Sequence, residues 1–475
     1  MRNISIVVAC VVTAVLRGGA AETPRETLVR EFMTAGGVPG VVVAVVKGDS
    51  VLYRQAFGVS DLRRGTPMTL GTCMELGSIG KAFTAEVIID LHRRRLLDLA
   101  DPITRHLRGA PASWSGITVD HLLTHTSGIQ NYLLDPRFRA GAYFLPAAGD
   151  DPLEAVLGGI STDSLVQLFY SLPLEFEPGW TWSYSNTGYF LLGKIAESVT
   201  REPFFAYAAT ELTGPLGMRR TKACEVSWKE GCLARGYVPT ADGPRPARVL
   251  TSDYALSAGA WAVSGEDMIA YMKAVHRKAL PSDRAGFNWR LRAPYPGHPF
   301  QYYGGRFFST YHGKHISAHN GGTPGFSSSW MHVEEDSISI IVLANRQDYA
   351  PIDRLAWDLL AHYLPALQYP AHQVASREGE EWGEVVVAAI DSLQAGRPMP
   401  AAFARPLRGY MESDNARGLW HWYFERGFPT AIRCVDAEIS DGSRMFRYLL
   451  NTPGGVEYRL TAVVNGANEL VRLSW

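Results

Sequence analysis

Ser78 and Lys81 stand three residues apart in GSIGK, at the head of AFTAEVIIDLHRRRLLDL, a stretch with helical spacing. That separation puts both side chains on one face of a helix. A serine hydroxyl is a poor nucleophile without a neighbouring base. A lysine one turn away can orient the hydroxyl while charged, or take its proton once burial has removed the ammonium proton. The helix N-terminus adds partial positive charge, and the Ser78 N–H can stabilise an oxyanion. A second group, Tyr184 and Asn186, stands in EPGWTWSYSNTGYFLLG. Residues i and i+2 of a loop can both point into a cleft. A phenol of pKa about 10 becomes a useful base only beside a cation, which Lys81 can supply. Asn186 offers a donor and an acceptor to a substrate amide or ester. The third group is His319, Gly321 and Gly322 in AHNGGTPGFSSSW. Its histidine would project into a cleft, its glycines would admit a close backbone approach, and the Gly322 N–H would be a second oxyanion donor. Each group alone also has a plain structural reading: a capping serine with a solvated lysine, a core tyrosine with a turn asparagine, and a glycine-rich turn with an incidental histidine.

These groups need a scaffold that brings distant segments together. GVVVAVVKGDSVLYRQAFGVSD reads as a hairpin turning at Lys47-Gly48-Asp49. After Ser78, the residues Phe83, Val87, Ile88 and Leu91 fall at helical spacing, which predicts a helix running through the core. Residues 100–280 read mostly as helices with loops. TVDHLLTHTSG is a helix capped by Thr118 and stopped at Gly128. TDSLVQLFYSL and TGYFLLGKIAESVT are two more, and SGEDMIAYMKAV is a fourth, capped by Ser264. SSWMHVEEDSISIIVLANR is a hairpin whose second strand is buried on both faces, and PIDRLAWDLLAHYL is an amphipathic helix. Strands at both ends with helices between predict an α+β fold: one antiparallel sheet assembled from both ends and flanked by helices, a separate all-α lobe, and a site in the cleft between. The expected division is a signal peptide at 1–21, a main domain at 22–365, a linker with a helix at 366–402, and a small antiparallel β domain at 403–475. GVEYRL and LVRLSW give that last domain alternating strands, with turns at Pro453-Gly454-Gly455 and Asn465-Gly466.

The formal net charge of −1 over 475 residues gives no global field for nucleic acid or an anionic membrane. MRNISIVVACVVTAVLRGGAAETP carries an early arginine, a short apolar run and small-residue cleavage sites, the pattern of a secretory signal. Its run is short for a bilayer span, so the expected location is periplasmic or secreted, with no stable membrane span after cleavage. Cys224 and Cys232 are close enough for a small-loop disulfide in an oxidising compartment, or are free buried thiols. His121 and His125, four apart, have no acidic third ligand in view and read as core or capping histidines; no metal is expected. No glycine-rich phosphate loop follows a strand, so no cofactor is expected. No strict G-x-S-x-G motif is present, which argues against an ordinary Ser-His-Asp hydrolase.

Taken together, Ser-x-x-Lys at 78–81, Tyr-x-Asn at 184–186 and His-Asn-Gly at 319–321 resemble the serine β-lactamase and penicillin-binding protein superfamily. Tyr-x-Asn resembles the class C branch, which includes D-alanyl-D-alanine carboxypeptidases, D-aminopeptidases and β-lactamase-like esterases. LLTHTSGI, the Pro-Gly before YSN, Leu-Gly-Met at 216–218 and GGTPGFSS are similar to the family's habits. The resemblance covers about residues 25–365 and implies acyl transfer through Ser78. Lys81 and Tyr184 would move protons, Ser78 and Gly322 N–H groups would hold the oxyanion, and Asn186 would position the acyl side chain. Which of Lys81 and Tyr184 is the base in each step stays open. Class C β-lactamases usually carry Lys-Thr-Gly where this chain has His319-Asn320-Gly321. A histidine is mostly neutral at pH 7, so the resemblance implies a small ester, amide or short D-peptide substrate ahead of a β-lactam. The other readings are a class C-type β-lactamase and a non-catalytic relative that binds peptidoglycan or a partner.

Overall fold

The computed structural model describes residues 22–135, 156–157, 161–229, 231–240, 242–287, 301–347, 349–368, 377–412, 431–440, 443–451 and 457–474. The expected signal peptide and the Pro453-Gly454-Gly455 turn lie outside them. Among the described residues no helix is long and apolar enough to cross a membrane.

The valine-rich strand Gly40–Lys47 has residues 41–46 fully buried, as expected of a strand covered on both faces. It pairs with Ser50–Asp61 on one side and with Ile338–Ala344 on the other, in register from Val41 opposite Ala344 to Lys47 opposite Ile338. The eight-stranded sheet runs, from edge to edge, Tyr302–Tyr303, Arg306–Tyr311, Lys314–Thr323, Phe326–Val333, Ile338–Ala344, Gly40–Lys47, Ser50–Asp61 and Thr66–Pro67. Every neighbouring pair is antiparallel. The sheet is therefore closed from both ends of the main domain, as its strand pattern predicts.

Period-two alternation divides the sheet's side chains between two layers. Val41, Val43, Val45, Ile340 and Val342 face the helices Pro24–Gly36 and Tyr349–Tyr363, through Val29, Ile352, Leu355 and Leu359. Val42, Ala44, Val46, Ile341 and Leu343 face the opposite layer, which holds Phe83 and Ile88 of the Gly80–Arg93 helix and Met268 and Met272 of the Gly265–His276 helix. The Gly80–Arg93 helix is buried from Gly80 to Leu91, so it runs through the core. Beyond it lie the helices Val119–Thr124, Thr162–Tyr170 and Asn186–Thr200, capped by Thr118, Ser161 and Ser185. The first of these ends earlier than expected. His125, not Gly128, takes the left-handed conformation that closes it, at φ 58°.

The C-terminal part also differs in detail. A helix, Arg405–Met411, stands where the strand pattern was expected to begin. The antiparallel sheet follows, with Ala431–Ser440, Ser443–Asn451, Glu457–Val464 and Leu470–Ser474 in chain order. The helix Arg377–Ala395, expected in a linker segment, lies against this sheet through buried Trp382, Val386, Ile390 and Leu393, and Tyr448 Oη donates to Gly379 O at 2.8 Å. Arg447, 1% exposed, joins this unit to the main sheet. It pairs with Asp436 and Glu438, donates to Thr310 O, and lies 4.1 Å from the centre of the Tyr311 ring.

Cys73, Cys224, Cys232 and Cys434 are all free thiols. Cys232 neighbours Cys73 rather than Cys224: Cys73 N–H donates to Cys232 O at 2.8 Å. The two residues lie on adjacent segments brought together by the fold, a contact that sequence proximity does not reveal.

Candidate active site

Ser78 lies in a tight turn, Gly77–Ile79, that leads directly into the Gly80–Arg93 helix. Gly77 sits at φ +60°, and a Cβ there would lie 2.6 Å from Gly322 N. A Cβ on Gly321 would lie 2.0 Å from Leu76 O. The glycines of both segments are thus required for the strand Lys314–Thr323 to pass against the turn that carries Ser78. This approach brings the backbone of Gly322 beside the Ser78 turn.

Lys81 is fully buried. Its Nζ lies 2.9 Å from Ser78 Oγ, 2.8 Å from Asn186 Oδ1 and 2.6 Å from Ala258 O. Burial drives its pKa well below that of an ordinary lysine. Two of the three partners are carbonyl oxygens, which can only accept. In the neutral amine they take both N–H hydrogens and leave the nitrogen lone pair for the Ser78 hydroxyl, which can donate. The third wall of this arrangement is the turn Leu256–Ala258, held by Thr84 Oγ1 donating to Ser257 O at 2.7 Å and by Ser257 Oγ donating to Tyr189 O at 2.7 Å.

Tyr184 lies in the loop before the Asn186–Thr200 helix, with the Lys81 Nζ 5.0 Å from the centre of its ring. Asn186 accepts from Lys81 through Oδ1, and its Nδ2 donates to Asn131 Oδ1 at 3.4 Å. The Asn186 carbonyl is therefore engaged with the Lys81 amine in this structure, rather than open to a substrate as its sequence position suggests.

His319 does turn toward this group, its ring 6.1 Å from that of Tyr184. Its Nδ1 is 2.6 Å from Asn320 O and its Nε2 3.2 Å from Tyr302 Oη, an arrangement satisfied by Nδ1–H donating to the carbonyl and Tyr302 donating to Nε2. Burial pushes the His319 pKa down to about 3, so the ring is neutral. Asn320 points the other way, as strand alternation requires. Its Nδ2 donates to Asp353 Oδ2 at 2.8 Å, on the helix that covers the far face of the sheet. Its contrast with threonine is therefore not felt through this side chain in the cleft.

The structure brings Ser78, Lys81, Tyr184, Asn186, His319, Gly321 and Gly322 together from three separated segments. Asn131, Ala258 and Tyr302 complete the group, and no sequence motif marks them. His121 and His125 do not face a common ligand position: His121 Nδ1 accepts from Thr118 N–H in a helix cap, whereas His125 packs against Tyr184.

Residues 25–364 match the family model described as Beta-lactamase. The chain belongs to the beta-lactamase family. It is 34% identical over 183 residues to penicillin-binding protein 4* of Bacillus subtilis (strain 168), covering 38% of this chain and 37% of that protein. It is 33% identical over 216 residues to esterase EstB of Burkholderia gladioli, covering 44% of this chain and 52% of the esterase. These matches thus span between about a third and a half of the relatives' own lengths. Among solved structures, the octameric penicillin-binding protein homologue from Pyrococcus abyssi aligns with a TM-score of 0.61 at 20% identity, over 94% of this chain and 97% of that one. That likeness extends through the C-terminal sheet and supports the α+β fold as a whole.

Proposed function

We propose that the protein is an exported serine hydrolase that forms an acyl-enzyme on Ser78, acting on small esters or on D-amino-acid amides and short D-peptides. The observation that carries this reading is the contact of the buried Lys81 Nζ with Ser78 Oγ while two carbonyl oxygens occupy its other positions. A lysine so placed can be a base at neutral pH. The similarity to an esterase agrees with the ester class.

In the first step the Ser78 hydroxyl proton passes to Lys81 Nζ as Oγ bonds to the substrate carbonyl carbon. The N–H groups of Ser78 and Gly322 hold the oxygen that becomes negative. Tyr184 protonates the leaving alcohol or amine as its bond to the carbonyl carbon breaks. Its phenolate is stabilised by the ammonium now on Lys81, from which the phenol is restored. Water then attacks the ester carbon, giving up a proton to the Lys81 amine, neutral again once the phenol is restored. The Ser78–acyl bond breaks, and the hydroxyl recovers its proton. Gly321 provides the close backbone approach, and Asn186 orients Lys81.

The neutral His319 supports the preference for esters and amides over β-lactams. A lysine there would present a permanent charge to a substrate carboxylate, and this ring does not. The non-catalytic reading is disfavoured because nucleophile, lysine and tyrosine are all retained and adjoin. The N-terminal pattern at 1–21 supports export to the periplasm or beyond. A panel of p-nitrophenyl esters, D-amino-acid p-nitroanilides and nitrocefin tests the substrate class. Ester or D-amide turnover should exceed nitrocefin turnover by at least tenfold; nitrocefin as the best substrate would overturn the weight given to His319. N-terminal sequencing of the exported product tests cleavage after residue 21.

A further inference from the structure

The backbone on both sides of Tyr184 is tied to a single residue. Ser183 N–H donates to His125 O at 2.9 Å, and Ser185 N–H donates to His125 Nδ1 at 3.2 Å. Between these two bonds the imidazole packs against the Tyr184 side chain, ring centres 4.4 Å apart. We propose that His125 is a positioning residue for Tyr184, clamping the loop that presents the phenol to Lys81 and Ser78. This rests on the reading of Tyr184 as the group that carries the leaving-group proton.

Three features make the clamp specific. First, the backbone of His125 is left-handed, at φ 58°, and that conformation aims its carbonyl and its ring at the same loop. Such a conformation is uncommon for a residue with a Cβ, and histidine and asparagine are among those that adopt it most readily. Second, Nδ1 must be an acceptor, because the group facing it is a backbone N–H. The ring is therefore the neutral tautomer with its proton on Nε2. A second proton would set donor against donor at Ser185. Burial disfavours that proton and drives the His125 pKa well below that of an ordinary imidazole. The titratable groups around the ring are Lys81, His319, Tyr184, Tyr189 and Tyr302. Third, the residue is 1% exposed, and among the described residues Nε2 has no hydrogen-bond partner. A histidine kept only for packing would leave that donor buried at a cost an apolar ring avoids. The Nδ1 bond to Ser185 explains why an imidazole is there.

Misplacement of a catalytic group by about 1 Å costs about 10²-fold in rate. His125→Leu removes the acceptor and fills the ring's place. His125→Asn keeps an acceptor near the Nδ1 position and tolerates the left-handed backbone. Both variants are prepared alone and with Tyr184→Phe, checked for wild-type thermal melting, and assayed by steady-state hydrolysis of a p-nitrophenyl ester. Wild-type turnover that is lost in Ser78→Ala establishes the underlying reaction first, so failure of that reading shows separately. The expected result is a kcat for His125→Leu lower by ten- to a hundredfold with KM changed less than threefold, and recovery in His125→Asn to within about threefold of wild type. In the Tyr184→Phe background the same substitution should add less than threefold. Should His125→Leu fail to fold, His125→Gly suits the left-handed backbone, lacks the acceptor, and carries the same expectation. Wild-type kcat in the folded Leu or Gly variant would overturn the proposal. So would an Asn variant as slow as Leu, or losses that multiply in the Tyr184→Phe background.

Discussion

Lys81 sits where charge is hardest to keep. Its nitrogen is buried with no carboxylate among its three hydrogen-bond partners, two of which are carbonyl oxygens. The ammonium is therefore disfavoured, and the amine can serve as a base. The pH dependence follows with its sign. At low pH Lys81 is protonated and the proposed reaction should stop; activity should rise as the ammonium loses its proton, then level. Because burial lowers that pKa, the rising limb of kcat/KM should lie well below the pH range of a free lysine. A limb at the free-lysine position would contradict this. Lys81→Arg keeps the charge but cannot release a proton, so kcat/KM should fall by about 10³-fold or more, measured with a p-nitrophenyl ester. At this scale Ser78, Lys81 and Tyr184 were legible because chemistry fixes their types and their spacing. Ala258, Asn131 and Tyr302 were not, because a main-chain carbonyl or a long-range partner leaves no pattern in its own neighbourhood.

At the scale of elements, the site depends on two segments crossing without side chains between them. Gly321→Ala would drive a Cβ to 2.0 Å from Leu76 O. The strand or the turn that carries Ser78 must then move, and both stability and activity should fall, the former by about 2 kcal/mol or more in denaturant melts. An alanine variant with wild-type melting and turnover would show that the crossing is not tight. Glu75 lies on the short strand Cys73–Glu75 just before the turn that carries Ser78, 1% exposed, with Oε1 accepting from Leu250 N–H at 2.9 Å. Burial raises its pKa from 4.5 to about 7. Between those two values the unfolded chain loses the proton while the folded protein keeps it. Stability should thus fall as pH rises from about 4.5 to 7, by up to about 3 kcal/mol, and level above. Glu75→Gln should flatten that slope in melts between pH 5 and 8; an unchanged slope would assign it elsewhere. The hydrophobic patterns predicted the hairpins and the long helices. They missed where the Val119–Thr124 helix stops, because a histidine in the left-handed conformation is not a recognisable stop signal.

For the whole molecule, joining both ends of the main domain in one sheet was predictable from buried, strand-forming runs at each end. The docking of the C-terminal sheet was not, since Arg447 is an ordinary charged residue until Asp436, Glu438 and Thr310 surround it. Arg447→Ala leaves two carboxylates without their cation, one of them buried, and should cost about 3 kcal/mol or more, seen as earlier proteolysis of the C-terminal part. Proteolysis at the wild-type rate would contradict that docking role. The helix Arg405–Met411 meets the loop before Tyr184, where a Cβ on Gly409 would lie 3.1 Å from the Trp180 ring, so loosening the C-terminal part should also alter turnover. The proposed reaction puts the acyl group on Ser78 with Lys81 as its base. The most direct measurement is mass spectrometry of the intact protein and its peptides after brief reaction with a slowly hydrolysed p-nitrophenyl ester. One acyl group on the peptide containing Ser78, absent in Ser78→Ala and strongly reduced in Lys81→Arg, is the predicted result. A folded wild-type protein that takes no acyl group, or takes it on another residue, would rule out Ser78 as the acylated residue.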